Sequence, residues 1–189
     1  MLKNLICTFV QMGNAVKILP HYTYEDYEQW EGRWELIEGV PYAMSPLPVP
    51  KHQRIAGALH SEFFVALKKY KRCTVYQPLD YKIEEDTIIQ PDMLVVCKPI
   101  NKKFLDFPPD LVVEILSPST ALKDRHTKFE IYQSQNIPYF IIISPDKEEA
   151  EIYKIENENY SLIQSGHTFS YTFYFEDCEA NIDFNEIWQ

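Results

Sequence analysis

Two apolar runs, each with an acidic residue inside it, decide the fold: Ile88–Val96 reads IIQPDMLVV, and Pro109–Leu116 reads PDLVVEIL. Short apolar runs of this kind predict buried strands. The first run contains Asp92 and the second contains Glu114. A carboxylate in an apolar strand is costly unless it is paired or bound to a metal ion. Two such carboxylates in successive strands therefore predict a divalent metal site.

The chemistry of such a site follows from the ligands. Mg²⁺ binds one or two carboxylates together with waters and phosphate oxygens, and the bound ion activates water and stabilises charge on a phosphoryl group. Lys128, on the helix predicted next, could orient the water or hold the phosphate. Structural explanations remain open. Pro-Asp often starts a turn, Glu114 could pair with a nearby base, and Lys128 lies four residues after Asp124, where a surface ion pair could form.

The remaining patterns predict an α/β protein with a mixed β-sheet flanked by helices. Capping residues, apolar periodicity and turn residues locate the elements. In chain order they are a short helix capped by Thr23, a hairpin around Glu38–Gly39, a helix over His52–Lys71, strands at Thr74–Gln77, Leu79–Ile83, Ile89–Cys97 and Leu111–Leu116, a helix over Thr120–Ser134, a strand at Pro138–Ser144 and a hairpin around Asn157–Asn159. The aromatic stretch Phe169–Phe175 receives no assignment. We expect residues 1–20 to form an N-terminal extension and residues 21–189 a single domain.

Composition and charge narrow the class of protein. The 189 residues are 46% hydrophobic and 14% aromatic, which is typical of a globular protein. No apolar stretch approaches the roughly 20 residues that span a membrane. The net charge is −10, and Asp146–Gln189 holds 11 acidic and two basic residues. This argues against nucleic-acid binding over the whole surface, because phosphate neutralisation supplies most of that affinity. The candidate local phosphate contacts are Lys51, Arg54, Lys68, Lys69, Lys71, Arg72, Lys123 and Arg125.

The four cysteines show no zinc-type spacing. They are Cys7, Cys73, Cys97 and Cys178. Cys97 lies in a predicted strand and is expected to be a small buried apolar residue. This usage is consistent with a reducing cytosol, so we expect a cytoplasmic protein.

A longer set of motifs resembles a known family. The motifs are Trp34–Gly39, Met44–Pro46, His52–Ile55, Gln90–Asp92, Asp110–Thr120, Asp124 with Lys128 and Tyr132, and Ile137–Phe140. Together they resemble the Uma2 family of restriction endonucleases, over about Tyr22 to Ile155. Pro91-Asp92 followed by Glu114 also resembles the PD-(D/E)XK nuclease superfamily. The resemblance implies a restriction-endonuclease-like core and a nuclease site that depends on Mg²⁺ or Mn²⁺.

The resemblance also implies roles for single residues. Asp92 and Glu114 would bind the metal ion. In the superfamily pattern the lysine stands two residues after the second acid, a position that Leu116 occupies in this chain. Some branches supply the lysine from the next helix, which makes Lys128 the catalytic lysine.

Two further residues, Glu35 and His52, match positions of the family, and each has two possible roles. Glu35 could add a third catalytic carboxylate, or it could pair with Arg33 or Arg54. His52 could contact phosphate or transfer a proton, or it could be a structural histidine at the start of its helix. Gln90 could help to position the site.

The implied function is an endonuclease that acts on nucleic acid, with DNA as the expected substrate. We expect it to act as a homodimer, which could cut both strands of a duplex. A catalytically inactive protein of the same fold, which binds a nucleic acid or a protein partner, is the alternative. A hydrolase of a small phosphorylated molecule comes third, because the five glycines form no phosphate-binding loop. Ser117, Ser119 and Thr120 are expected to be cap and turn residues, since no base is evident beside them.

Overall fold

The computed structural model describes residues 8–12, 15–44, 49–117 and 123–189. It divides into two compact units, the smaller formed by Met1–Leu47 and Asp80–Gln90, and the larger by Pro48–Leu79 and Pro91–Gln189. The single domain over residues 21–189 and the extension over residues 1–20 stay predictions. Within the described ranges, no helix is long and apolar enough to cross a membrane.

The elements follow one another in mixed order. They are β1 (Thr8–Met12), β2 (Ala15–Leu19), α1 (Tyr24–Tyr27), β3 (Trp34–Ile37), β4 (Val40–Ala43), α2 (Pro50–Leu67), β5 (Thr74–Tyr76), β6 (Tyr81–Glu84), β7 (Thr87–Ile89), β8 (Met93–Val96), β9 (Leu111–Ile115), a π-helix (Asp124–Lys128), α3 (Phe129–Ser134), β10 (Tyr139–Ser144), β11 (Glu149–Glu156), β12 (Asn159–Gly166), β13 (Ser170–Phe175) and β14 (Cys178–Asp183).

The smaller unit contains the β1–β2 hairpin, α1 and a four-stranded sheet of order β4-β3-β7-β6. The predicted cap of α1 is confirmed, because the Asp26 carboxylate accepts the backbone N–H of Thr23 at 3.1 Å. The predicted hairpin between β3 and β4 is confirmed as well. Glu38 and Gly39 have φ values of 49° and 74°, as a two-residue turn that matches the strand twist requires.

The larger unit is built on a six-stranded sheet of order β12-β11-β10-β9-β8-β5. Only β9 and β10 run parallel, so the sheet is mixed, as predicted. One face carries the core, into which α2 inserts Ile55, Leu59 and Phe63. The β13–β14 hairpin joins this core, with the ring of Phe173 at 5.2 Å from that of Phe63. The aromatic stretch without a sequence assignment is therefore a core strand.

The predicted strand Ile89–Cys97 is wrong in one respect, because it is two strands, β7 and β8. The break falls at Pro91, which has no N–H to donate to a strand ladder. The predicted helix Thr120–Ser134 begins outside the described residues. The predicted cap and turn residues Ser119 and Thr120 also lie outside them. Its described part is the π-helix followed by α3.

The sequence predicts the burial of Cys97 but not its disulfide bond. Cys97 is buried, as predicted, but its sulfur is bonded to that of Cys73. Thr74 of β5 pairs with Val96 of β8. Continuing this register by one residue places Cys73 opposite Cys97, a relation that single-sequence spacing does not reveal. The cytoplasmic location stays a prediction.

Candidate active site

The two predicted metal ligands, Asp92 and Glu114, lie at the same end of the β8–β9 ladder. Met93 pairs with Val113 in an antiparallel ladder, and the next position of this register places Asp92 opposite Glu114. The Asp92 carboxylate also accepts the backbone N–H of Ile115 at 2.8 Å. Asp92 is thereby fixed to the backbone beside Glu114.

His52, at the start of α2, contacts the same carboxylate. Its Nε2 lies 3.2 Å from Oδ2 of Asp92, and the histidine is 8% exposed. Burial on its own lowers the pKa of His52. The hydrogen bond and charge of Asp92, the backbone of Ile115 and the charge of Asp124 outweigh that effect and raise the pKa above its ordinary value. The acidic groups around His52 therefore favour its protonation relative to the same imidazole in water.

Glu114 is held by two donors from the segment after β9. Lys128 Nζ lies 2.9 Å from Oε1 of Glu114, and the hydroxyl of Tyr132 donates to the same oxygen at 2.5 Å. Glu114 and Lys128 are each only 2% exposed. Lys128, in the helical segment after β9, therefore contacts the second predicted metal ligand.

Asp124 completes the charged cluster. It is 2% exposed, and its Oδ1 lies 3.5 Å from Nζ of Lys128. The ion pair that their four-residue spacing suggests is present, but it is buried and does not lie on the surface. The pair belongs to the π-helix, and wider helical turns of this kind often occur at functional sites.

Glu35 and Gln90 lie in the smaller unit. Glu35 is fully buried, and its Oε1 accepts the backbone N–H of Gln90 at 3.0 Å. The Gln90 side chain accepts from Arg33 at 3.2 Å and donates to Asp80 at 2.6 Å. Gln90 is thus held through its backbone and both side-chain ends. The role of Glu35 as a third catalytic carboxylate stays a prediction.

Several candidate phosphate contacts form ion pairs within the chain. Arg72 contacts Glu176 and Asp177, and Lys51 Nζ lies 3.1 Å from Glu148. Arg125 binds Glu151 through two nitrogens, at 2.7 and 3.2 Å. Phosphate would have to compete with these carboxylates. The ion pairs therefore weaken the case for those three residues as direct contacts.

The chemical type of the donor atoms fits a hard divalent cation. Asp92 and Glu114 supply carboxylate oxygens, the ligands that Mg²⁺ and Mn²⁺ prefer. The described part of the chain contains no group of three His, Cys, Asp or Glu side chains arranged to hold a metal ion. Two carboxylates are nevertheless enough for Mg²⁺, which keeps several waters and binds substrate phosphate.

The fold and this cluster define a restriction-endonuclease-like α/β protein. A crystal structure from Anabaena variabilis, described as "a putative nuclease belonging to DUF820", superposes with a TM-score of 0.70 at 16% identity and covers 88% of this chain and 97% of that chain. The likeness shows the fold. The "Uncharacterized protein slr1290" of Synechocystis sp. is 30% identical over 154 residues, which are 76% of this chain and 80% of that protein.

The family follows from a further match. The profile of Uma2, described as "Putative restriction endonuclease", matches residues 24–180. The chain belongs to the Uma2 family, as the motifs predicted. Nucleic acid is the substrate class that this family description implies.

The sequence left two members of the cluster without a role. Asp124 and Tyr132 belong to a motif that resembles the Uma2 family, but the sequence predicts a site role only for Lys128, which lies between them. The signal was their spacing. Residues four apart on a helix share a face, so Asp124, Lys128 and Tyr132 were placed to meet one partner.

Proposed function

We propose that this chain is a Mg²⁺- or Mn²⁺-dependent endonuclease of the PD-(D/E)XK type that hydrolyses phosphodiester bonds, with DNA as the expected substrate. The contact that carries the proposal is the buried one between Lys128 and Glu114, at 2.9 Å, beside a second carboxylate, Asp92. Two carboxylates can hold the metal ion for phosphodiester hydrolysis, and a fixed lysine can stabilise the charge that develops on the phosphoryl group.

Asp92 and Glu114 are the proposed metal ligands. Among the described residues, the contacts of Asp92 with His52 and Ile115 both use Oδ2, so Oδ1 is available to a ligand. The bound ion would supply a Lewis acid that activates water and neutralises phosphoryl charge. His52 keeps Asp92 in place through the contact of its Nε2 with Oδ2.

Lys128 is the proposed catalytic lysine. Asp124 and Glu114 hold its ammonium group at the strand end, in surroundings from which water is largely excluded. A fixed cation in such a place stabilises developing negative charge more strongly than one in water. Lys128 would orient the attacking water or hold the phosphate. A homodimer would supply the two sites needed to cut both strands of a duplex.

The test is a titration of Mn²⁺ and Mg²⁺ into the wild type and Glu114→Gln, followed by plasmid nicking with the same samples. Glutamine keeps an oxygen for Lys128 and Tyr132 and removes the charge that binds metal. We expect metal binding and nicking by the wild type and neither by the variant. The folding control is the thermal midpoint of Glu114→Gln, in which Lys128 still pairs with the buried carboxylate of Asp124.

Other outcomes decide against parts of the proposal. Nicking by Glu114→Gln at the wild-type rate would remove Glu114 from the site. A wild type that binds DNA but neither binds metal nor nicks would favour the inactive binding protein.

A further inference from the structure

Tyr132 is a buried residue without an assigned role beside the proposed metal ligand. Its side chain is fully buried, and its hydroxyl donates to Oε1 of Glu114 at 2.5 Å. We infer that Tyr132 is a positioning residue, whose hydroxyl holds the Glu114 carboxylate in the orientation that binds the metal ion. The inference rests on the proposed function.

Two donors to a single oxygen fix the orientation of the Glu114 carboxylate. Lys128 and Tyr132 both reach Oε1 of Glu114. The carboxylate is planar, so two donors that fix one oxygen from different directions also fix where the second oxygen points. A flexible glutamate would have to lose rotamer freedom each time it bound a metal ion, which costs free energy. Donors that orient a metal ligand typically change metal affinity by roughly 10- to 100-fold.

The ring of Tyr132 is itself held by the sheet. Glu114 of β9 pairs with Ile142 of β10, and Val112 pairs with Phe140, so these residues share one face. The Tyr132 ring packs edge-on against Phe140 at 5.1 Å between ring centroids. This packing leaves the hydroxyl pointing at Glu114 without further ordering. A purely structural role is the competing account, since a buried tyrosine hydroxyl needs a hydrogen-bond partner in any case.

Tyr132→Phe separates these accounts, because it removes one oxygen and keeps the ring. Tyr153→Phe is the matched control. The hydroxyl of Tyr153 also donates to a carboxylate, that of Glu151 at 3.1 Å, and its ring lies 6.2 Å from the same Phe140. Glu151 is not a proposed metal ligand. For each protein we would measure the Kd for Mn²⁺, the thermal midpoint, and the rate and KM of nicking over a range of Mn²⁺ concentrations.

We expect Tyr132→Phe to bind Mn²⁺ about 10- to 100-fold more weakly than the wild type. Nicking should be slow at low Mn²⁺ and largely restored at saturating Mn²⁺, with the KM for plasmid unchanged. Tyr153→Phe should behave as the wild type does. A purely structural hydroxyl would lower the thermal midpoint without moving the Kd for Mn²⁺.

Three results would overturn the inference. An unchanged Kd in Tyr132→Phe would leave the hydroxyl a structural role only. Equal weakening in Tyr153→Phe would assign the effect to the aromatic packing. A wild type that binds no Mn²⁺ would overturn the proposed function, and this inference with it. The wild-type titration thus distinguishes failure of the function from failure of the positioning role.

Discussion

The β8–β9 ladder has the same arrangement at both of its ends, but only one end is the proposed active site. Pro91-Asp92 precedes β8 and Pro109-Asp110 precedes β9. The Asp92 carboxylate accepts the N–H of Ile115 at 2.8 Å, just past Glu114, and the Asp110 carboxylate accepts the N–H of Cys97 at 2.7 Å. Each aspartate therefore caps the strand opposite to its own.

The two ends differ in what surrounds the aspartate. At the Asp92 end, His52 contacts the carboxylate, and the buried pair of Glu114 and Lys128 lies across the ladder. At the other end, burial raises the pKa of Asp110, and the N–H of Cys97 and the charge of Lys98 offset that only in part. A Pro-Asp strand end is thus a structural device by itself. The added charged side chains are what make one copy a candidate for chemistry.

The largest expected effect on metal binding and nicking comes from replacing each of the two aspartates by asparagine in separate variants. Asp92→Asn keeps an oxygen for the N–H of Ile115 but removes the charge, so we expect Mn²⁺ binding and plasmid nicking to fall by more than about 100-fold, beyond the loss caused by an indirect partner. Asp110→Asn makes the same change at the other end and should leave both unchanged. Calorimetric titration and a nicking time course measure the pair.

A loss of the same size in both variants would contradict this difference between the ends. It would mean that the strand caps, through the geometry of the ladder, control the site. Unchanged metal binding in Asp92→Asn, with a folded protein, would reduce Asp92 to its structural role.

Much of the fold could be predicted from the sequence because its elements are locally coded. The apolar spacing of α2, the Glu38–Gly39 turn and the continuous apolar run of β10 each act over a few neighbouring residues. What could not be predicted is long-range. The pairing of Cys73 with Cys97 depends on the register of β5 against β8, and the core position of β13 depends on its contact with α2.

The candidate site shows the same division. Asp92 and Glu114 were found because an acid in an apolar run is conspicuous. The burial of Lys128 was not predictable from its spacing to Asp124, which suits a surface pair equally well. Tyr132 belongs to one of the family motifs, but nothing in one sequence shows which carboxylate its hydroxyl reaches.

The next largest expected effect is a loss of unfolding free energy in Lys128→Met, because Lys128 is buried. Lys128→Met would leave Glu114 and Asp124 as buried carboxylates without their cation, which costs about 3–5 kcal/mol of unfolding free energy. Lys102 and Asp106 have the same spacing, on the chain segment that leads to Asp110, and lie 2.6 Å apart with side chains 56% and 36% exposed. Lys102→Met should cost no more than about 1 kcal/mol. Urea unfolding at neutral pH compares the two variants, and an equal cost would contradict the burial of the Lys128 pair.

The smallest expected effect is a pH dependence at the Asp110 end. A carboxyl group whose pKa is raised in the folded state contributes stability while it is protonated, and that stability is lost as the pH rises through the raised value. Asp110→Asn does not titrate. The variant should therefore gain stability relative to the wild type as the pH rises from about 4, the ordinary value for aspartate, to neutrality. Urea unfolding of both proteins at the two pH values measures this gain.

A stability change of the opposite sign would change the interpretation of the aspartates at both ends of the ladder. If Asp110→Asn loses stability relative to the wild type as the pH rises, the ionised carboxylate must stabilise the ladder through the N–H of Cys97 by more than its burial costs. The charge of Asp92 would then be expected to do the same through the N–H of Ile115. In that case part of any loss in Asp92→Asn would belong to the strand cap, and only the remainder to metal binding.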